Sequence, residues 1–295
     1  MSTENQKEQI EMQDKMISDA LDKIKHRIVV FSGKGGVGKT TVSVNLAYAL
    51  QSKGNKTGLL DADITGPNVP KMLGLSNHLV YYHNRFIPHV CHNMKVISIG
   101  NIIESGQPVI WRGPLRSRLL CQFLGEVEWG QLDYLVADLP PGTGDEILTI
   151  TEKMKPDLAI IVTTPQEVSL VDSARAINMA KKMNVRTIGV IENMSGLLCP
   201  KCGTLIELFG SGGGRRQAAE LNVSFLGILP IDMEARKMAD QGKLIIHENK
   251  QAHFSTAIWE IVKVIENVFY DNNGVPGSRE LESFDKIDAY SKRSS

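Results

Sequence analysis

Two stretches of this sequence carry residue types at a spacing that could do chemistry. The first is Ser32-Gly33-Lys34-Gly35-Gly36-Val37-Gly38-Lys39-Thr40-Thr41, which fits the pattern G-x-x-x-x-G-K-[ST]. Glycines let backbone N–H groups close around phosphates, and a helix N-terminus behind them adds partial positive charge. In such a loop Lys39 reaches the β- and γ-phosphates, and the Thr40 hydroxyl binds Mg²⁺. A second lysine, Lys34, follows the first glycine. It is either a solvated loop residue or a cation able to cross a subunit interface and stabilise charge on a partner's nucleotide, as an arginine finger does. The second stretch is Cys199-Pro200-Lys201-Cys202-Gly203. A C-x-x-C knuckle presents two sulfurs to one metal centre, with Gly203 allowing the tight turn. Two thiolates are half of what a [4Fe–4S] cluster or a Zn²⁺ site takes. Cys91 and Cys121 stand in no second such pair, and each reads as a packed small apolar residue.

Carboxylates support the first stretch. Leu59-Leu60-Asp61-Ala62-Asp63 puts two acids at the end of an apolar run, the edge where open α/β sheets bind ligands. Tyr134-Leu135-Val136-Ala137-Asp138 is an apolar strand closed by an acid, the pattern of an aspartate that holds Mg²⁺ through water. Strand-end aspartates are often helix caps; beside a phosphate loop the nucleotide reading is preferred. Leu139-Pro140-Pro141-Gly142-Thr143-Gly144-Asp145 then reads as a stiff turn able to move with the γ-phosphate.

These residues need a scaffold, and the sequence predicts one. Strands are expected at Arg27–Phe31, Thr57–Leu60, Val96–Ile99, Tyr134–Ala137, Leu158–Val162, Thr187–Ile191 and Phe225–Leu229. Several are apolar without alternation, as strands covered on both faces are. Helical patterns such as Thr41–Lys53 and Glu167–Met183 lie between them. The fold class is therefore α/β, a doubly wound, mainly parallel sheet with helices on both faces. No internal repeat is found. Residues 1–26 read as a polar amphipathic helix with Ile10, Ile17, Leu21 and Ile24 on one face, packed on the domain or docking a partner. Residues 27–270 form the main domain, and 271–295 a loose polar tail. His78, His83, His89 and His92 crowd around Cys91, but their spacing is irregular and Pro88 marks a loop. A packed or solvated hairpin is preferred there to a metal site.

Composition closes off other classes. The chain has 295 residues with 33 Lys+Arg against 33 Asp+Glu, so no broad electrostatic footprint for nucleic acid or anionic membrane is expected. An apolar fraction of 42% and a charged fraction of 22% are ordinary for a globular protein. Its apolar runs are far shorter than a bilayer-spanning segment, and Met1–Asp22 lacks the order of a signal peptide. Four cysteines are too few for a secreted disulfide framework. A cytoplasmic protein is expected.

The combination of motifs resembles the deviant Walker-A P-loop ATPases, the group of MinD, ParA, the arsenite-pump ATPases and the nitrogenase iron protein. It is most similar to the Mrp/ApbC family of iron–sulfur cluster carriers. The matching blocks are Gly33–Thr41, Asp61–Pro67, Trp111–Pro114, Asp133–Asp145, Thr163–Gln166, Glu192–Gly203 and Phe209–Gly214, spanning about Arg27 to Tyr270. The resemblance implies Mg²⁺-dependent ATP hydrolysis to ADP by a homodimer sandwiching two nucleotides, with Gly33, Lys34, Gly35, Gly36, Val37, Gly38, Lys39, Thr40 and Thr41 around the phosphates. It makes Lys34 the lysine that touches the partner's ATP and Asp63 the acid that positions the attacking water. It also places Asp61 near Mg²⁺ beside Thr40 and Asp138, and Asn193 at the adenine edge. The extra N-terminal domain or N-terminal cysteine cluster of some members is not expected here.

Three readings of Cys199 and Cys202 follow. A two-fold axis near the pair would bring four cysteines together around one exposed, labile [4Fe–4S] cluster, carried to apo iron–sulfur proteins. A zinc bridging the dimer, as in arsenite-pump-like targeting ATPases, is the alternative, but the Met-rich helical insertion of such a factor is not evident. A thioredoxin-type dithiol fits poorly, because the pair does not open a helix after the first strand. A MinD-like membrane or ParA-like DNA positioning role is disfavoured as well. Glu260 and Glu266 against Lys263 make Phe254–Tyr270 a helix for packing on the sheet rather than for anionic lipid.

Overall fold

The computed structural model describes residues 3–76, 78–102 and 113–270. In chain order the elements are α1 (Thr3–Leu21), β1 (Ile24–Ser32), α2 (Lys39–Ser52), β2 (Thr57–Asp61), α3 (Val69–Leu73), β3 (Val80–Tyr82), β4 (Arg85–Ile87), β5 (His89–Cys91) and β6 (Met94–Ser98). There follow α4 (Gly113–Gly125), β7 (Leu132–Pro141), α5 (Asp145–Met154), β8 (Leu158–Thr163), α6 (Glu167–Lys182), β9 (Thr187–Glu192), β10 (Leu197–Leu198) and β11 (Leu205–Ile206). The last are α7 (Gly213–Glu220), β12 (Ser224–Ile228), α8 (Met233–Asp240), α9 (Ile245–Glu248) and α10 (His253–Tyr270).

Eight strands form one sheet in the order β12-β9-β8-β1-β7-β2-β6-β5. Every neighbouring pair is parallel except β5 with β6, which makes an antiparallel edge. The expected strands are all present, because an apolar run buried on both faces must alternate between two cores. Ile28, Val30, Leu59, Val136 and Ile160 face α2, α9 and α10, while Val29, Phe31, Leu60, Ala137 and Ile161 face α1, α4, α5 and α6. In α10, Phe254, Ile258, Ile261, Val262, Val264 and Ile265 are buried against the sheet. That burial contributes on the order of 10–20 kcal/mol, an upper estimate because the unfolded chain already buries part of this surface. Glu260 pairs with Lys263 at 2.7 Å and Glu266 with Lys53. Among the described residues no helix is long and apolar enough to cross a membrane.

Four local readings are sharpened or corrected. Helix α1 stops at Leu21, and Ile24 opens β1 instead of completing the helical face. Ile17 and Leu21 are buried beside α4, but Ile10 is 57% exposed. The chain pairs with β7 from Ile24 onward, and strand pairing there outweighs the helical periodicity. Pro140 and Pro141 belong to β7, with Pro141 opposite Ser32, so the turn begins only at Gly142. Proline's fixed φ is compatible with an extended strand end. The histidine-rich stretch is a pair of tight hairpin turns, with His83-Asn84 and His92-Asn93 in the left-handed region. Cys121 is buried and Cys91 half-buried against the core. Trp111 and Arg112, and the tail 271–295, lie outside the described residues.

Candidate functional site

Parallel strands deliver the chemistry to one edge of the sheet. The phosphate loop leaves β1, Asp61 and Asp63 lie at the end of β2, Asp138 lies near the end of β7, and Asn193 follows β9. This is the carboxyl edge, where helix N-termini also point. Register fixes the pairings: Asp61 lies opposite Asp138 on one side and opposite Ser98 on the other.

Gly38 caps α2 with φ 83°, a left-handed conformation that turns the chain into the helix. A side chain there would also collide with Asn193, whose Nδ2 lies 2.2 Å from an added Cβ. Lys39 is buried and its Nζ pairs with Asp138 Oδ1 at 2.8 Å. Thr40 Oγ1 donates to Asp138 Oδ2 at 2.7 Å, and Ser43 Oγ donates to Oδ1 at 2.7 Å. Thus the Asp138 carboxylate is saturated by an ammonium and two hydroxyls, with nothing left unpaired in the low-dielectric interior. Sequence reasoning missed Ser43. Its signal was available, since it lies one helical turn after Lys39 on the same face.

Asp61 is fully buried. Ser98 Oγ donates to its Oδ2 at 2.8 Å, and the backbone N–H groups of Asp63 and Val69 approach at 3.3 Å. Burial first, and the Asp138 carboxylate beside it second, push its pKa up from the usual carboxylate range to about 8; the Ser98 bond and Lys39 oppose the rise. Asp63 is also buried, with Thr65 Oγ1 donating to its Oδ1 at 2.8 Å and the Gly66 N–H at 3.1 Å. Beside these segments, a groove of ≈ 210 Å³ is lined by Ile64, Thr65, Arg116, Pro140, Pro141 and Glu146. Lys34 is half-exposed, and its side chain makes no ion pair or hydrogen bond among the described residues.

Asn193 is buried against the loop: its Nδ2 donates to the Val37 carbonyl at 2.8 Å and its backbone N–H to the Thr163 carbonyl at 2.8 Å. The donor set at this edge suits a nucleotide with its hard divalent cation. It offers glycine N–H groups at a helix start, one ammonium, two hydroxyls and acidic oxygens.

Beyond Asn193 the chain enters the cysteine segment. Strands β10 and β11 form a separate two-stranded antiparallel hairpin, and Leu197 makes an isolated parallel bridge with Ile231, three residues beyond the end of β12. Its turn carries both cysteines, closed by Cys199 N–H to Thr204 O at 2.9 Å and Gly203 N–H to Cys199 O at 2.8 Å. Cys199 is half-buried and Cys202 exposed. Cys202 Sγ and Thr204 Oγ1 are 3.2 Å apart. The Thr204 hydroxyl first, then its backbone and Cys199, hold the Cys202 thiol below its ordinary value. No third Cys, His, Asp or Glu joins the pair among the described residues.

A family model described as NUBPL iron-transfer P-loop NTPase matches residues 23–266, which takes in both sites and the whole sheet. The chain belongs to this family. It is 47% identical over 277 residues to an iron-sulfur cluster carrier protein of Pyrococcus horikoshii, covering 90% of this chain and 93% of the relative. It is also 47% identical over 224 residues to the cytosolic Fe-S cluster assembly factor CFD1 of Kluyveromyces lactis, covering 72% and 79%. Among solved structures, a nucleotide-binding protein from Archaeoglobus fulgidus in complex with ADP superposes with a TM-score of 0.71 at 38% identity, covering 82% of this chain and 95% of that one. The MinD cell division protein of Aquifex aeolicus superposes at 0.60 with 23% identity, covering 86% and 100%, and shares the fold. This NUBPL-type member therefore combines the MinD-like P-loop fold with a C-x-x-C hairpin at the carboxyl edge.

Proposed function

We propose that this protein is an ATP-hydrolysing carrier of iron–sulfur clusters that works as a homodimer in the cytoplasm. It binds one labile [4Fe–4S] cluster across two copies of the Cys199–Cys202 pair and passes it to apo iron–sulfur proteins. The observation that carries this reading is a surface cysteine pair, Cys202 exposed with its thiol below the ordinary pKa and Cys199 half-buried, with no third ligand among the described residues. A second copy is the simplest source of the other two thiolates. Identity to curated carriers supports the cargo, and the cytosolic CFD1 relative supports the compartment.

The nucleotide would sit on Gly33–Thr41, with Lys39 on its β- and γ-phosphates. Mg²⁺ would be held by Thr40 and Asp138 with Asp61 nearby, supplying charge neutralisation at the phosphates. Lys34, half-exposed and without an ion pair among the described residues, would reach the partner's nucleotide. Asp63 would orient the attacking water, and Asn193 would read the adenine edge while keeping its bond to the loop. Closure of the dimer on ATP, and release on hydrolysis, would change the setting of Cys199 and Cys202.

Anaerobic reconstitution with iron and sulfide, followed by absorbance and metal analysis, tests the proposal. One cluster per dimer is expected, absent from the Cys199→Ala/Cys202→Ala variant. Stoichiometric zinc that iron does not replace would overturn the cluster reading in favour of a zinc-bridged targeting factor.

A further inference from the structure

A third strand-end acid stands between the two sites. Glu192 closes β9, next to Asn193, and its side chain is fully buried. Its Oε1 accepts from Ser195 Oγ at 2.6 Å and from the Gly212 N–H at 2.9 Å, and its Oε2 accepts from the Gly214 N–H at 2.5 Å. Ser195 precedes the cysteine hairpin and the two glycines follow it. One carboxylate therefore holds both ends of segment 196–211. The carboxylate is tightly seated, since a Cβ added at Gly214 would lie 3.1 Å from Glu192 Oε2.

Within that segment the other anchor is also at its start, where the Ile231 N–H donates to the Gly196 carbonyl at 2.8 Å beside the Leu197–Ile231 bridge. Leu205, Ile206, Leu208 and Phe209 are 48%, 41%, 55% and 39% exposed, so its apolar side chains are not inserted into the core. Position is set at the ends, where Ser195 also donates its N–H to the Leu229 carbonyl and Leu229 returns its own to Glu192 O. Among the described residues Glu192 forms no ion pair with lysine or arginine. Its charge is held by backbone N–H groups at the start of α7 and by one hydroxyl, which suits an anion better than a neutral amide. On the other side, Asn193 is bonded to the Val37 carbonyl inside the phosphate loop.

We propose that Glu192 is a positioning residue that couples the phosphate loop to the cysteine hairpin. The path runs from the Val37 carbonyl through Asn193 to the adjoining Glu192, and from its carboxylate to both ends of the hairpin segment. A shift of the loop on nucleotide binding is thereby imposed on the hairpin as a unit instead of being lost in a flexible connection. The inference deepens the carrier reading and rests on it for its biological use, but its test requires no cluster.

The test labels the cluster-free, reduced, full-length protein with a maleimide and follows Cys202 by mass spectrometry, without nucleotide and at saturating MgADP or Mg-AMPPNP, with binding checked by calorimetry. In the wild type the nucleotide is expected to change the labelling rate about fivefold, the low end of ordinary coupling between sites. In Glu192→Gln the ratio of the two rates collapses toward one. A carboxylate that only stabilised the fold would, when removed, speed labelling in both states and leave the ratio unchanged. That result, or a wild type whose labelling ignores nucleotide, would overturn the proposal. Ser195→Ala removes one donor and keeps both glycine bonds, so it serves where Glu192→Gln fails to fold; its ratio is expected to fall at least by half, and an unchanged ratio counts against Glu192. Failure of iron and sulfide reconstitution with an intact labelling ratio would refute the carrier reading alone.

Discussion

At the phosphate loop, the lysine and aspartate side chains of the central ion pair are 7% and 0% exposed, and each oxygen of Asp138 has its donor. A few residues beyond the end of β9, the cysteine turn presents one thiol in the open and one half-covered, on a hairpin of two-residue strands. The two regions share the carboxyl edge of the sheet but not a building principle. The loop is a finished charge network whose members would be costly to leave unpaired. The hairpin is a two-thiol turn held at its ends, with apolar side chains left in solvent and little packing to resist movement. A nucleotide site must be rigid to orient phosphates, whereas a site that gives up its cargo must stay accessible.

The largest expected effect tests whether the two are separable. Lys39→Ala removes the cation from a buried carboxylate that keeps only two hydroxyl donors, and should cost about 3 kcal/mol of stability, the low end for a broken buried pair. It should also abolish nucleotide binding, while reconstitution of a cluster at Cys199 and Cys202 persists. Denaturant unfolding, calorimetry with ADP and iron analysis of one preparation measure all three. If cluster transfer from this variant to an apo-protein runs at the wild-type rate, ATP and transfer are uncoupled.

The same substitution made in both regions gives the next contrast. Gly38 and Gly203 have φ of +83° and +71°, so alanine is strained at either, by about 1 kcal/mol. At Gly203 a Cβ meets nothing within 4 Å, whereas at Gly38 it lies 2.2 Å from Asn193 Nδ2. Gly38→Ala should therefore lose about 1–3 kcal/mol more than Gly203→Ala, as overpacking does, and weaken ADP binding as well. Equal losses by thermal unfolding would mean that Asn193 can move aside freely.

Legibility in the sequence follows the same division. Every central strand could be read because its residues are apolar on two faces, and the phosphate loop because its glycines and lysine serve one backbone geometry. The separate β3–β4 hairpin, the edge strand β5 and the cysteine hairpin could not be placed in detail. They are set by turns and by pairing partners, and their apolar side chains, such as Val80 and Tyr82, remain exposed. Ser98 and Glu192 were missed as partners for a different reason. Their importance depends on register, Ser98 opposite Asp61 and Glu192 beside the returning glycine loop, and register is not written in any local pattern. Asp61, Asp138 and Glu192 nonetheless share a visible signature, an acid closing an apolar run.

Asp61 provides a smaller effect with a distinctive pH dependence. Its pKa in the nucleotide-free protein is raised from 3.8 to about 8. Between those values the unfolded chain releases a proton that the folded chain retains, so this group makes stability fall as pH rises across that window. Asp61→Asn should flatten that dependence and make the nucleotide-free protein at least as stable at pH 8, while slowing Mg²⁺-dependent hydrolysis. Unfolding midpoints from pH 5 to 8 decide the matter; parallel curves for the two proteins would show that Asp61 is ionised throughout.

The smallest effect falls on the hairpin, where solvent limits what any one bond can do. Thr204 lies beside Cys202 and holds its thiol below the ordinary value of 9. Only the thiolate reacts with an alkylating agent, so the rate should rise with pH and reach its half-maximum below that value. Thr204→Val removes the hydroxyl and keeps the branched shape, and should move the half-maximum upward and slow labelling at neutral pH a few-fold. Stability should change by less than about 0.5 kcal/mol, since Thr204 is exposed. An unmoved profile would mean that the backbone N–H groups of the turn and the neighbouring Cys199 tune Cys202 without the hydroxyl. The ligand's readiness would then be set by the turn itself, and thus by the glycine and the two end clamps that shape it.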